Sequence, residues 1–285
     1  MKPLLITEDL HHKNSHGLKI MLNEKNIPYK FGSIKDIHDY EYIYSPNNPI
    51  NIQEYPNKRF LFGPHFSTFP NEKFRGINNK HKNAFYIQPS KWAAEAWINN
   101  NAEKHLPIKV LPFPVDIEKF QPNNSERTEV FLYHKRRNPK ELQYLKMFLK
   151  SKNINFHLFD YVKKYNEKDY INILQKAKYG IILDAHESQG FAIEEALSCN
   201  VPLLVWNVRY MSQEHGSKYE NISCSSIEYW DERCGEYFYN IDELNSTFNN
   251  FLSKLDSYQP RQYIIDNLSI DPCFERLSKL FQELK

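Results

Sequence analysis

The residues best suited to chemistry are densest between positions 181 and 207, IILDAHESQGFAIEEALSCNVPLLVWN. An apolar run ends in an acidic loop that carries Glu187. Gly190 opens a short helix that carries Glu195, and a second apolar run follows Asn200, Val201 and Pro202. The stretch reads as strand, ligand loop, helix, strand. It sets two carboxylates at the carboxyl end of a buried strand, where open α/β sheets take ligands. At about 100° per residue, Ala192, Ile193, Ala196, Leu197 and Cys199 share one helix face. Glu195 then lies at the edge of that face and Glu194 points to solvent. Two acidic residues alone would equally mark an ordinary amphipathic helix. The whole string, with Ser188, Gln189, Gly190 and Phe191, points to a ligand.

A basic run, Tyr133 to Lys140, stands where a strand passes into a helix. Cations fixed beside a departing diphosphate would stabilise its developing charge. Lys135 and Lys140 have suitable spacing, and Arg137 is a rival for the first role because arginine binds phosphate bidentately. A solvated basic turn is the plain alternative. In residues 7–17, His11, His12 and His16 surround Asn14, and Gly17 stands at the expected helix start, where backbone amides can hold an anion. A metal pair at His12 and His16 would require a helix there. The segment reads instead as a polar loop, substrate-facing or simply exposed, and no metal is expected. His65 ends a strand at Phe62-Gly63-Pro64-His65 and could bond a sugar hydroxyl or a phosphate, or be structural.

Residues 187–197 resemble the donor-site signature of retaining GT-B glycosyltransferases of the group 1, GT4-like family. That pattern is Glu, seven residues, Glu, with Gly-Phe inside it and Glu-Ala-Leu near its end. The string VLPFPVDIEKFQP resembles the family's interdomain linker, with Phe113-Pro114 in place of Asn-Gly. The family's Arg and Lys, five residues apart, match Lys135 and Lys140, with lysine in place of the arginine.

The resemblance implies a GT-B fold: two Rossmann-like domains facing a central cleft, here with a reduced N-domain. The expected domains are 1–114 on the acceptor side, 115–265 for the nucleotide sugar, and a helix over 266–285 crossing back to the N-domain. It implies that Glu195 holds the ribose hydroxyls and that Glu187 touches the donor sugar. Amides and side chains at Ser188, Gln189, Gly190 and Phe191 would face sugar or phosphate. Lys135, Arg137 and Lys140 would neutralise the diphosphate, while Asn14, Gly17 and His65 would serve from the N-domain. The implied reaction is transfer of a hexosyl or pentosyl group from a UDP- or GDP-sugar to a glycan or glycoconjugate hydroxyl, with retention. The leaving phosphate would accept the acceptor's proton. No cofactor or metal is expected. A sugar-nucleotide hydrolase or epimerase, or an inactive nucleotide-sugar-binding protein, would share the nucleotide-side residues.

The elements that must position these groups alternate along the chain. Strands are expected at 3–6, 40–44, 59–63, 84–88 and 109–111, with helices at 16–23 and at 91–99 behind Ser90 as cap. After the proline-rich connector come strand 129–133, helix 139–150, strand 155–159, helix 168–175 and strand 179–183. This βαβ series implies a parallel sheet with right-handed crossovers. Two or three helices follow residue 242, the last over 271–284.

With 285 residues and 41% hydrophobic content, the chain can fill two cores. A net charge of +2 excludes nucleic-acid binding driven by bulk charge. No segment approaches 18 apolar residues, so no transmembrane span is expected, though peripheral membrane contact stays open. Lys2-Pro3 leads into Leu-Leu-Ile without a signal-peptide pattern. The spacings of Cys199, Cys224, Cys234 and Cys273 fit neither zinc nor a disulfide framework, which suits a cytoplasmic protein, monomer or homodimer. The absence of Asp-x-Asp, of Walker and dinucleotide glycine loops and of G-x-S-x-G argues against metal-dependent transferases, ATPases, dehydrogenases and hydrolases.

Overall fold

A computed structural model describes residues 2–8, 10–163 and 165–284. Asp9, in the first loop, lies outside the described residues. The chain divides into two compact units, Met1–Pro114 with Leu268–Lys285, and Val115–Asn267.

The first unit holds strands β1 (Leu4–Ile6), β2 (Tyr29–Phe31), β3 (Tyr42–Ser45), β4 (Arg59–Phe62), β5 (Ala84–Gln88) and β6 (Ile108–Val110). They form one parallel sheet in the order β2-β1-β3-β4-β5-β6. Leu4, Leu5 and Ile6 are all fully buried, as are Phe60, Leu61 and Phe62. Unbroken apolar runs of this kind belong to parallel strands covered on both faces. Helices α1 (His12–Glu24), α2 (Glu72–Arg75) and α3 (Lys91–Asn99) come from the connections. Tyr86 stacks on Trp97 at 4.1 Å, and Phe74 meets both rings edge-on. The Trp97 indole N–H donates to Thr68 O at 3.0 Å, so the buried ring keeps its polar partner.

Two expectations change here. α1 starts at His12, not His16, so the histidines at 12 and 16 do share a helix. Ser90 holds the N-cap position of α3 by backbone only, since its side chain makes no cap bond. β2 was not anticipated: its three residues, Tyr-Lys-Phe, are too few to show a period.

The second unit holds β7 (Glu129–Lys135), β8 (His157–Asp160), β9 (Ala177–Asp184), β10 (Leu203–Trp206) and β11 (Gly235–Phe238). They form a parallel sheet in the order β11-β10-β9-β7-β8. Helices α4 (Pro139–Ser151), α5 (Glu167–Leu174), α6 (Phe191–Ser198), α7 (Leu244–Ser253) and α8 (Pro260–Leu268) accompany it. α4 begins with proline after a reciprocal cap, in which Asn138 and Glu141 each satisfy the other's backbone amide. α9 (Ile270–Glu283) packs in the first unit, burying Cys273, Leu277, Leu280 and Phe281 at helical spacing. Phe281 stacks on Tyr42 at 4.6 Å, and Arg59 Nε donates to Leu284 O at 3.0 Å. No helix among the described residues is long and apolar enough to cross a membrane.

Candidate functional site

In the second unit, β7 is the first strand; β8 lies on one side of it and β9 on the other. The crossovers diverge between β7 and β9, which opens a crevice at their carboxyl ends. Lys135 and Asp184 are register partners at that end. The sequence therefore brings a lysine and an aspartate to the switch point of this sheet.

Beyond β9 the chain enters the acidic loop. Glu187 N donates to Ser225 O at 3.1 Å, and Ser226 Oγ donates to Asp184 O at 3.1 Å. Asn207 Oδ1 accepts from Val208 N and Ser226 N at 2.8 and 2.9 Å. These bonds hold the loop against residues 207–226. Gly190 is the N-cap of α6 with φ of +95°, a conformation that glycine adopts without steric cost. No side chain caps α6, so its first amides point outward with the positive end of the helix dipole. At the other end, Arg127 donates to Cys199 O at 2.7 Å and Arg261 to Ser198 O at 2.8 Å. Cations at a helix carboxyl end favour the same dipole direction.

Glu187 is the centre of the polar cluster. Its carboxylate pairs with Lys135 Nζ and, at 2.8 Å, with Arg136 Nη2. Burial would raise the Glu187 carboxyl, but Lys135 and Arg136 hold it below the usual range. Asp184 is hydrogen-bonded to it and is pushed well up by burial and by the Glu187 charge. Burial works against both cations, yet the facing carboxylates keep Lys135 and Arg136 above their ordinary values. Arg136 also reaches Glu214 at 3.4 Å. His186, with Nε2 2.9 Å from Glu214, is pulled down to about 4 by burial and by Arg136.

Several expected residues stand elsewhere. Arg137 leaves the anion-binding set: it is 2% exposed and its guanidinium is spent on the protein. It donates to both Glu141 oxygens at 2.9 and 2.8 Å, and to Asp184 O and Trp206 O at 3.2 and 3.0 Å. Arg136 takes its place because φ of +54° at that residue breaks the strand's side-chain alternation. Lys140 is exposed on the first turn of α4 and joins the cluster through no hydrogen bond among the described residues.

Glu194 is not solvated. It is 1% exposed, accepts from Gln189 Nε2 at 3.0 Å, and is driven well above the usual carboxylate range by burial. Glu195 is 4% exposed on the same helix, and Ser188 is exposed at the loop's tip. Gln189 and Gly190 are buried and Phe191 is half-buried. Among the site residues, Asp184, Arg136, His186 and Glu214 went unassigned in sequence. Asp184 had a usable signal, as the last residue of an apolar run.

In the first unit, Asn14 Nδ2 and His65 Nε2 lie 3.2 Å apart, so these two are brought together. Burial, with His11 nearby, lowers His65 to about 4, and it is a neutral hydrogen-bonding group at physiological pH. Gly17 does not open a helix. It sits in the second turn of α1, where a Cβ would stand 2.6 Å from Pro114 O, so its role is close packing. His12 and His16 face no third metal-ligating partner, as no group of three is found among the described residues.

Comparison with known proteins gives no matching family model and no matching curated protein. Solved structures do match. The lipopolysaccharide outer core galactosyltransferase WaaB, in its apo form, superposes with a TM-score of 0.57 at 14% identity, covering 99% of each chain. A sucrose-phosphate synthase from Thermosynechococcus elongatus gives 0.57 at 10% identity, covering 100% of this chain and 99% of that one. The fold is GT-B. TarM matches at 0.55 and 16% identity over 88% of this chain, which spans 57% of TarM's. At these identities the likeness establishes the GT-B fold, two Rossmann-like units each with a parallel sheet. The chemistry must come from the residues.

Proposed function

We propose that the protein is a glycosyltransferase of the GT4-like, retaining kind, whose second unit binds a nucleoside-diphosphate sugar at the β7–β9 switch point. The observation that carries this reading is the convergence there of Lys135, Arg136, Glu187 and the uncapped start of α6. A diphosphate would replace Glu187 as partner of Lys135 and Arg136 and receive the amides around Gly190 and Phe191. Ser188 and Gln189 flank that contact.

Glu187, released from the cations, would accept from the donor sugar's hydroxyls. Glu195, one helix turn further in, would hold the ribose diol with both oxygens. Lys140 is the outermost cation and would act on the diphosphate only by its field. His65 and Asn14 are the polar groups that the first unit offers to an acceptor or donor hydroxyl.

In the reaction, the bond from the donor's anomeric carbon to the phosphate oxygen breaks. A bond forms on the same face to the acceptor oxygen. The acceptor's proton passes to the leaving phosphate, so no side-chain base and no metal are required. Lys135 and Arg136 stabilise the charge that appears on the diphosphate. The four buried, free cysteines agree with a reducing compartment such as the cytoplasm.

The test is a nucleotide-release assay with UDP- and GDP-sugars, with and without glycan acceptors. Release that depends on acceptor, reduced about 100-fold or more by Glu187→Gln, is expected. Release that ignores acceptor would mean hydrolysis, and undiminished turnover in Glu187→Gln would remove the site from the chemistry.

A further inference from the structure

The first unit has its own switch point. Its sheet order turns around β1, with β2 on one side and β3 on the other. A cavity of about 420 Å³ opens at the carboxyl ends of these strands. That is within the roughly 300–1,000 Å³ of small-molecule sites. Thr7 and Glu8 enter it from β1, Ser33 and Ile34 from the turn after β2, and Ser45 from the end of β3. Pro49, Ile50, Asn51, Glu54 and Tyr55 complete the lining.

The chemistry of this lining is one-sided. Its ten residues include two carboxylates, Glu8 and Glu54, and no lysine or arginine. Each carboxylate is steered by an asparagine. Asn48 Nδ2 donates to Glu8 Oε1 at 2.8 Å, and Asn51 Nδ2 donates to Glu54 Oε1 at 2.6 Å. One such bond leaves an ionised carboxylate with most of its lone pairs open to a ligand. Thr7 Oγ1 donates to Ser45 Oγ at 3.0 Å, and Ser45 Oγ donates to Asn48 O at 2.6 Å, so the two strand ends are locked together. Lys73 ends on Asn48 Oδ1 at 3.3 Å and is not among the lining residues. Tyr55 and Ile50 add apolar surface, with Tyr55 packed edge-on against His38.

Fixed acceptors, amides and hydroxyls around an aromatic wall suit a molecule rich in hydroxyl donors. Two carboxylates with no lysine or arginine among the described lining residues repel phosphate and carboxylate groups and attract an ammonium. We propose that this cavity is a saccharide subsite selective for neutral or amine-bearing sugars and closed to phosphorylated or acidic ones. The inference rests on the transferase reading, in which the bound sugar is the acceptor. It goes further by assigning the acceptor's charge class to Glu8 and Glu54.

The experiment is saturation-transfer NMR on the full chain with four probes: methyl glucoside, glucosamine, glucuronate and glucose 6-phosphate. Methyl glucoside and glucosamine should bind, and the two anions should not. Glucosamine should bind about five-fold more tightly than methyl glucoside, the size of one exposed charge contact at about 4 Å. Glu54→Gln with Glu8→Gln should remove that advantage and leave methyl glucoside binding in place. Ile34→Lys, at a wall position 43% exposed, should shrink glucosamine's advantage over methyl glucoside without abolishing it.

Binding of glucose 6-phosphate by the unaltered protein as tight as that of methyl glucoside would overturn the proposal. So would failure of all four probes, or binding that ignores these substitutions. Nucleoside-diphosphate binding measured on the same samples separates the two readings. Retained nucleotide binding with no sugar binding defeats this inference alone, and sugar binding without nucleotide defeats the donor-site reading.

Discussion

Glu194 and Glu195 are neighbours in sequence, both nearly inaccessible, and they do different work. Glu194 has Gln189 as hydrogen-bond partner, while its Oε1 is buried without one. Its carboxyl is raised above the ordinary value of 4.5 by burial. The folded protein thus retains a proton that the unfolded chain loses, and stability falls as pH climbs above 4.5 toward the folded value. Asp184 shifts in the same direction and is common to both proteins of the following comparison. Glu194→Gln keeps the shape and the bond from Gln189 but cannot ionise. Its melting temperature should therefore gain on the unaltered protein as pH rises above 4.5. A gap that does not change with pH would show that Glu194 ionises as freely folded as unfolded. Glu194→Ala should cost about 1–3 kcal/mol in denaturant unfolding, because Gln189 loses its buried partner. A solvated residue at that position would have made the change nearly silent.

At the scale of elements, the strands were largely legible, and so was the apolar face of α1, where Leu18, Met21 and Leu22 are buried, while the face of α6 was not. Apolar runs such as Leu-Leu-Ile and Arg-Phe-Leu-Phe mark buried strands because parallel sheets need apolar side chains on both faces. The α6 phase argument failed because Ile193 through Cys199 are buried on every side, including both glutamates, so no solvent face exists to be read. Arg137 was a rival for the phosphate role on its side-chain chemistry alone, and nothing local announced the left-handed residue, Arg136, after which Arg137 turns into the protein. A tertiary contact also hid the role of Gly17, since nothing local announces that Pro114 O presses on α1. Gly17→Ala tests that contact. In an unobstructed helix the change would stabilise by roughly 0.5–1 kcal/mol. Here the added methyl meets a backbone oxygen, and a net loss of about 1–3 kcal/mol is expected from denaturant unfolding. A gain in stability would show that α1 can shift away from Pro114.

At the scale of the whole molecule, each unit is a parallel sheet with its own apolar core and its own switch point. The two crevices have opposite character. The second unit presents Lys135 and Arg136 at its switch point, while the first presents Glu8 and Glu54. Under the proposed function, the second unit's crevice would take the donor's anionic diphosphate and the first unit's a neutral or cationic sugar. Sequence showed the second unit's crevice because most of its residues fall within two compact runs, 133–140 and 181–207. It did not show the first unit's cavity, which is assembled from three separate connections. In the proposed donor site, the second unit holds a nucleoside diphosphate through Glu195 and the α6 start. The most direct measurement is a thermal-shift screen of UDP, GDP, ADP, CMP and TDP without added divalent metal, with Glu195→Ala alongside. A nucleotide at 100 times its dissociation constant should add about 2.7 kcal/mol of stability, and such a shift is expected with one diphosphate and lost in the variant. No shift with any of them, or a shift that Glu195→Ala leaves intact, would contradict the donor-site reading.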